Sequence, residues 1–250
     1  MILGYSTINE VVESKTELAI LSVGSIEQHG PHLPLTTDWE IATALGMGVA
    51  ERTSGFYVPA LPVSTCKEHM GRRGSWVAMS PKTFYDMMWD ICVCLKSQGF
   101  RRIGIIQTHG GIFTMTPLVR ELNAAFQPEL MVAKLDCMEI GAELASNGIL
   151  ESDNELHAGE CETSLMLHLK PELVHMDKAI DWVPEGIERG DLNYGSLLRY
   201  CPDGVWGEAK CATAEKGEKI LNFMIDSLIK RMNRAFTIME GKEKLDYSWF

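Results

Sequence analysis

The sequence has no long apolar segment and no surplus of positive charge. A membrane-spanning helix needs about 18 or more consecutive apolar residues, and the 250-residue chain contains no such run. It carries 23 Lys and Arg against 34 Asp and Glu, for a net charge of -11. Because such a surface repels phosphate backbones and anionic lipids, we expect neither a nucleic acid nor a membrane as partner.

Paired cysteines and targeting signals are also missing. The seven cysteines are an odd number, and Cys92 and Cys94 form Cys-x-Cys within a helical pattern rather than a metal-binding knuckle. We expect reduced, mostly buried thiols, which favours a cytoplasmic location. The first 14 residues include Glu10 and Glu13 and have no apolar core, so we expect no signal peptide.

The phosphate-binding P-loop, the dinucleotide fingerprint and the Gly-x-Ser-x-Gly elbow are absent too, so none of these chemistries competes for the site. Hydrophobic residues make up 46% of the chain and charged residues 23%, an ordinary globular balance. The length suits one large domain, and we predict a single domain over residues 1–250.

Apolar runs of strand length alternate with helical periodicity along the chain. This alternation predicts an α/β fold, an α/β/α sandwich with a mainly parallel central sheet. The predicted strands cover residues 18–23, 56–63, 102–107 and 131–136. The predicted helices cover residues 38–52, 80–98, 116–126, 138–145, 157–169 and 213–239.

The first strand leads into a loop rich in Gly and Pro that carries Glu27, His29 and Asp38. Residues two apart on an extended segment point to the same side, so Glu27 and His29 can face one cavity. The turn residues that follow can return Asp38 to the same place. Carboxylate and imidazole ligands suit Zn, Mn or Fe. An ordinary polar surface loop is the alternative.

Two further positions offer ligands or catalytic groups. His109 follows the predicted strand 102–107 and precedes two glycines, at the strand end where open α/β sheets place their sites. His157 and Glu160 are three residues apart on a predicted helix, so both can reach one cavity. Glu160 has a structural alternative, in which it pairs with a cation or caps the helix start.

Four motifs together resemble the creatininase (creatinine amidohydrolase) superfamily and occur in its order. They span residues 20 to 170, and we expect the resemblance to include the helical C-terminal region. The motifs are Gly24-Ser25-Ile26-Glu27-Gln28-His29-Gly30-Pro31-His32-Leu33-Pro34 with Asp38, Glu68-His69-Met70-Gly71, Thr108-His109-Gly110-Gly111, and His157-Ala158-Gly159-Glu160-Cys161-Glu162-Thr163-Ser164.

The resemblance implies a binuclear metallohydrolase with two divalent ions per chain, Zn, Mn or Fe, and with Asp38 bridging them. A water shared by the ions would become the nucleophile. In creatininase itself a Tyr-Glu pair follows the metal-binding His, but here Gly110 and Gly111 take those places. Glu160 is therefore expected to replace the missing ligand or to act as a catalytic group. The implied metal ligands are Glu27, His29, Asp38, His109 and Glu160.

The resemblance also implies that His157 contacts the substrate and moves a proton. A Trp of creatininase falls on Asp153 here, which puts creatinine itself in doubt as the substrate. Arg72 and Arg73 replace the usual residues after Glu68-His69 and could clamp an anion. The predicted substrate-binding residues are Glu68, His69, Arg72, Arg73, Asp153 and His157.

The expected reaction is cleavage of a C–N bond in a cyclic amide or formamide of small size. One alternative is C–C hydrolysis of an oxidised cyclic polyol at the same metal site, and another is a non-catalytic protein with a structural metal site. Members of the superfamily form oligomers, often hexamers. We therefore expect a homo-oligomer, with the aromatic-rich segment 182–206 as lid or subunit contact.

Overall fold

The computed structural model describes residues 6–152 and 154–240 of the chain. Its elements, in chain order, are α1 (Ile8–Ser14), β1 (Leu18–Val23), β2 (Ile26–Glu27), α2 (Thr37–Thr53), β3 (Phe56–Leu61), β4 (Trp76–Val77), α3 (Pro81–Ser97), β5 (Arg102–Gln107), α4 (Met115–Phe126), β6 (Met131–Asp136), α5 (Gly141–Ser146), α6 (Glu160–Leu169), β7 (Asp181–Trp182), α7 (Leu197–Tyr200), β8 (Gly207–Glu208) and α8 (Ala214–Met239).

The central sheet has four strands in the order β3-β1-β5-β6, and every neighbouring pair is parallel. Strand β1 is fully buried from Ala19 to Val23, as expected for a parallel strand that is covered on both faces. Two short antiparallel pairs, β2 with β4 and β7 with β8, lie outside this sheet.

Helices cover both faces of the sheet, and alternate strand residues contact opposite layers. Ile20 belongs to the core formed with α2, α5, α6 and α8. Its neighbours Ala19 and Leu21 belong to the core formed with α3 and α4. The predicted α/β/α sandwich is therefore confirmed. None of the described helices combines the length and hydropathy that a membrane-crossing segment needs.

Local signals account for most element ends. The Ser80 side chain caps α3 by accepting from the Thr83 N–H, and Pro81 occupies the first turn. Strand β3 ends at Leu61 rather than at residue 63. The predicted helix at 157–169 begins only at Glu160, because Ala158 has a positive φ of 53° that no α-helix allows.

Candidate metal centre

The carboxyl ends of β1 and β5 position the predicted ligands. The chain leaves β1 through Gly24, where an added Cβ would lie 2.6 Å from the backbone carbonyl of Asp38. Only glycine permits this close approach, which brings β2 next to the first turn of α2. Thr108, directly after β5, donates its hydroxyl to the Asp38 carbonyl oxygen at 3.0 Å. Three separate segments thus meet at one point.

Glu27, Asp38 and His109 form the centre of the cluster. His109 Nδ1 lies 3.0 Å from Glu27 Oε2 and 3.3 Å from Asp38 Oδ2. The Ser25 hydroxyl lies 2.6 Å from Glu27 Oε2 and 3.0 Å from Asp38 Oδ2, which holds the two carboxylates side by side. All three ligand candidates are almost completely buried. Two adjacent buried carboxylates require positive charge close by.

His29 is oriented by its own loop. Its Nδ1 lies 3.1 Å from the Glu27 carbonyl oxygen, a contact that places the ring proton on Nδ1. The other ring nitrogen, Nε2, lies 3.5 Å from Asp38 Oδ1 and 3.7 Å from Glu162 Oε2. A backbone carbonyl that fixes the tautomer of a histidine is the usual support of a metal-ligating ring.

The donor atoms fit divalent metal ions. Three groups of side chains bring one ligand atom each to within 4.8 Å of one another: Glu27 with His29 and His157, Glu27 with His69 and His109, and His29 with Asp38 and Glu162.

Several of these atoms are buried without a hydrogen-bond partner of proper geometry, including Glu27 Oε1, His29 Nε2 and His109 Nε2. Orphaned donor atoms of this kind, carboxylate and imidazole together, are suited to Zn, Mn or Fe.

Two groups of the cluster, His29 and Glu162, have raised pKa values. Burial opposes a charge on His29, but the Asp38 and Glu162 carboxylates outweigh it and raise the pKa of His29 to about 9. Burial raises the pKa of Glu162 to about 7, although His29 acts in the opposite direction. The imidazole thus carries a proton at neutral pH at a place where a cation can replace it.

The pKa of Glu27 is shifted downward, in contrast to those of His29 and Glu162. Burial alone would raise its pKa, but His109 and His69 outweigh it and hold the pKa of Glu27 well below its usual range. His69 Nε2 lies 3.0 Å from Glu27 Oε1, so the structure brings this predicted substrate-binding residue to the cluster itself. Glu27 therefore stays ionised, which a metal ligand must be.

His157 also faces the cluster. Its Nε2 lies 2.7 Å from the Gln28 carbonyl oxygen, so Nε2–H donates and Nδ1 keeps its lone pair. Nδ1 lies 3.8 Å from Glu27 Oε1. Burial, with repulsion from His29 and His69, holds the pKa of His157 well below its ordinary value. The ring is therefore neutral, with an unprotonated Nδ1.

The structure does not bring Glu160 to the cluster. Its Oε2 accepts from the backbone N–H groups of Glu151 and Ser152 at 2.7 and 3.1 Å, and Oε1 pairs with Lys216. Sequence reasoning missed Glu162, which faces His29 and Asp38 instead. The expectation for Glu160 does not fit the geometry, because His157 lies outside α6 and helical spacing does not relate the two. A second Glu in the same motif was the available signal.

The predicted anion clamp is also absent from the cavity. Arg72 is exposed and donates to the Pro202 carbonyl oxygen at 2.6 Å, and Arg73 is exposed on the same loop. Neither lines the metal cavity, whereas Arg189 does and donates to the Gly110 carbonyl oxygen at 3.1 Å. Sequence reasoning gave no signal for Arg189. Asp153 lies outside the described residues.

Glu68 lies beside the cluster as predicted, although its contact is with a ligand candidate. Its Oε1 lies 2.8 Å from His109 Nε2. An added Cβ at Gly111 would come within 1.5 Å of that same oxygen. The glycine therefore leaves the space that the Glu68 carboxylate fills, and Glu68 orients the His109 ring.

Comparisons with known proteins place this geometry in context. A family model described as "Creatininase: Creatinine amidohydrolase" matches residues 4–232. The chain is 28% identical over 247 residues to a mycofactocin precursor peptide peptidase of Mycobacterium ulcerans, which covers 93% of this chain and 90% of that protein. It is 28% identical to a creatinine amidohydrolase of Pseudomonas putida, with 87% and 89% covered. It is 26% identical to a 3-dehydro-scyllo-inosose hydrolase of Thermotoga maritima, with 86% and 76% covered.

Solved structures agree with these relatives. A crystal structure of creatinine amidohydrolase superposes with a TM-score of 0.79 at 25% identity, covering 96% of this chain and 98% of that chain. A mutant creatininase described as Zn-Zn type gives a TM-score of 0.78 at 26% identity, and a manganese form gives 0.77 at 27%; each covers 94% of this chain and 98% of its own. The similarity therefore extends over nearly the whole described fold.

Proposed function

The chain belongs to the creatininase family, and from that premise we propose that it is a binuclear metal-dependent amidohydrolase acting on a small polar molecule. The observation that carries this proposal is the buried cluster of carboxylates and imidazoles with orphaned donor atoms at the ends of β1 and β5. The similar curated proteins are hydrolases by name.

Five side chains would hold two divalent ions, Zn, Mn or Fe. Asp38 is the bridging candidate, since its two oxygens face His29 on one side and His109 on the other. One ion would be held by Glu27, His109 and Asp38, and the other by His29, Asp38 and Glu162. Glu162 thus takes the place that the sequence suggested for Glu160. The ligands proposed are Glu27, His29, Asp38, His109 and Glu162.

When bound, such ions lower the pKa of water and polarise a carbonyl group. The protein supplies proton transfer through His157, whose Nδ1 lone pair faces the cavity. Nδ1 would accept the proton of the attacking water and pass it to the leaving nitrogen. The hydrogen bond from Nε2 to the Gln28 carbonyl oxygen fixes the ring during both steps.

The rim of the cavity would select and orient the substrate. His69 and Glu68 lie at the cluster, and Arg189 is the one Lys or Arg among the described residues that line the metal cavity. The guanidinium would bind an acidic or carbonyl group of the substrate. This arrangement assigns to Arg189 the role that the sequence suggested for Arg72 and Arg73.

C–C hydrolysis of an oxidised cyclic polyol is the second candidate, supported by the Thermotoga relative. A non-catalytic structural site is the third. Structural sites are closed by protein ligands, whereas a catalytic one keeps an open position. The cavity of about 40 Å³ at the cluster favours catalysis.

Subunit association is a further part of the proposal. Trp182 and Tyr194 are 46% and 82% exposed on the segment 182–206, and exposed aromatic residues are enriched at protein interfaces. We expect a homo-oligomer formed through this segment, and size-exclusion chromatography with light scattering measures the number of subunits, which is six for a hexamer.

Two matched variants test the ligand set. We expect about two divalent ions per chain in the wild type, about one in Glu162→Gln, and about two in Glu160→Gln. Glu160→Gln should lower the free energy of unfolding by roughly 3 kcal/mol, because it breaks a buried ion pair. Elemental analysis measures the metal content per chain, and urea denaturation measures the free energy of unfolding. Equal metal loss in the two variants would contradict the assignment of Glu162.

His157→Ala separates catalysis from structure. This variant should keep its metal and its unfolding free energy but lose turnover of a formamide or cyclic amide by about 10²-fold or more. If metal and stability were lost together with turnover, the structural site would be the better interpretation.

A further inference from the structure

The cavity at the metal cluster is small and is not closed off from its surroundings. Its volume is about 40 Å³, and one water needs roughly 10–15 Å³ on this measure. The ions and a few waters therefore fill it. A substrate held at the cluster must extend into neighbouring space.

Two larger cavities share walls with the metal cavity. The inner chamber, of about 190 Å³, lies among α2, α5, α6 and α8 and is also lined by Leu150, Ser152, Glu155 and Leu156. The outer groove, of about 470 Å³, lies against residues 65–70, 111–114 and 192–196. No described residue lines both, so the metal cavity lies between them.

Five residues form the shared wall between the inner chamber and the metal cavity: Asp38, Thr108, Met138, Leu156 and Glu162. Two of them are the proposed metal ligands Asp38 and Glu162. A molecule in the chamber therefore lies beside the cluster. The chamber is an extension of the site rather than a separate void.

The chamber walls are mainly apolar. Ile41, Leu144, Leu165 and Met224 line it from four different helices, and each is at most 4% exposed. An apolar cavity of roughly 150 Å³ already accepts benzene. The chamber is thus large enough for a single ring or a branched alkyl group.

One residue of the chamber wall carries a buried polar atom without a hydrogen-bond partner. Glu155 lines the inner chamber but not the metal cavity. Its Oε1 accepts from the Cys161 N–H at 2.7 Å, whereas Oε2 is buried and makes no hydrogen bond. Burial raises the pKa of Glu155 to about 8. An unpartnered buried oxygen costs free energy unless a ligand group reaches it.

We propose that the inner chamber binds an apolar arm of the substrate, a ring or branched alkyl group that carries one polar group to pair with Glu155 Oε2. The link to a substrate rests on the proposed hydrolase function. The binding of an apolar molecule in the chamber does not depend on the hydrolase function. The proposed substrate is therefore a small amide that is polar at the bond to be cleaved and carries one ring or branched alkyl group with a single polar substituent.

Calorimetric titration of the metal-containing full-length protein with benzene tests the chamber directly. We expect saturable binding that Ala145→Leu weakens by about tenfold or more, because Ala145 lines the chamber. Ala125→Leu makes the same change on an exposed position of α4 and should leave binding unchanged. Leu165→Phe fills the chamber from α6 and replaces Ala145→Leu if that variant does not fold.

Phenol tests the polar contact. Phenol should bind more tightly than benzene to the wild type, and Glu155→Leu should abolish this preference without weakening benzene. Absence of benzene binding, or equal binding by the wild type and both chamber-filling variants, would overturn the proposal. Equal affinity of the wild type for phenol and benzene would overturn the role of Glu155.

The two proposals fail separately. If benzene does not bind while metal content follows the Glu162→Gln expectation, the chamber inference alone is wrong. If benzene binding is lost only in the chamber-filling variants but metal content does not respond to Glu162→Gln, the assignment of the metal ligands alone is wrong.

Discussion

His32 is a fully buried histidine next to the metal cluster but outside the proposed ligand set. Its Nε2 lies 2.9 Å from the Thr163 hydroxyl, on the same turn as Glu162. Burial, together with repulsion from His29, lowers the pKa of His32 from 6.5 to about 4. The folded protein therefore keeps this ring neutral at pH values where the unfolded chain protonates it.

The sign of the pH dependence follows. Between pH 6.5 and 4 the unfolded chain binds a proton that the folded chain does not, so the unfolding free energy falls as pH falls. The shift corresponds to about 3 kcal/mol. Urea denaturation across this range measures it, and His32→Gln should flatten the slope. Parallel profiles for wild type and variant would show that His32 does not contribute.

Some residues of the site could be predicted from the sequence, and others could not. Glu27, His29, Asp38 and His109 could be proposed because loop spacing and strand ends constrain where they meet. Arg72 and Arg73 could not be placed, since a charged side chain on a loop carries no information about its direction. Their predicted clamp depended on neighbours in sequence, whereas Arg189 reaches the cavity from far along the chain.

At the scale of elements, α6 and α8 are packed closely enough to require glycine. An added Cβ at Gly217 in α8 would lie 2.0 Å from the Ser164 carbonyl oxygen of α6. The close contact lets Lys216, one residue earlier, reach Glu160. The position of the first turn of α6, and hence of Glu162, depends on this packing.

Gly217→Ala should therefore destabilise the protein by about 1–3 kcal/mol, although alanine is the better helix former. Gly141→Ala in α5 is the matched control, because an added Cβ there meets nothing within 4 Å. Its unfolding free energy should be unchanged or rise slightly. Thermal or urea unfolding compares the two, and equal effects would contradict the steric argument.

Element boundaries were predictable where one signal dominated. The apolar runs of β1, β5 and β6 gave the observed bounds, since buried parallel strands read as continuous hydrophobic segments. The start of α6 was not predictable, because no residue near Ala158 indicates that its φ is positive. That one turn changed which glutamate faces the cluster.

At the scale of the whole molecule, metal binding should be coupled to proton release. His29, with its pKa raised to about 9, carries a proton at neutral pH that an ion must displace. Metal affinity should therefore rise with pH up to about 9, by roughly tenfold per pH unit for each proton released. Chelator competition at several pH values measures this. A pH-independent affinity would contradict it.

The alternation of strands and helices predicted the molecule's architecture, because alternating elements bury their apolar faces in a layered α/β fold. Cavities could not be predicted in this way, because a cavity forms between side chains that are far apart in the sequence. The inner chamber takes its walls from α2, α5, α6 and α8, and no segment of the sequence predicts such a volume.

The close packing of α8 against α6 also bears on biosynthesis. The first proposed ligand is Glu27, yet the helix that holds the turn of the last one begins only at Ala214. A nascent chain thus exposes most of its ligands long before it can fix their geometry. We expect the chain to bind the ions only after α8 has been synthesised.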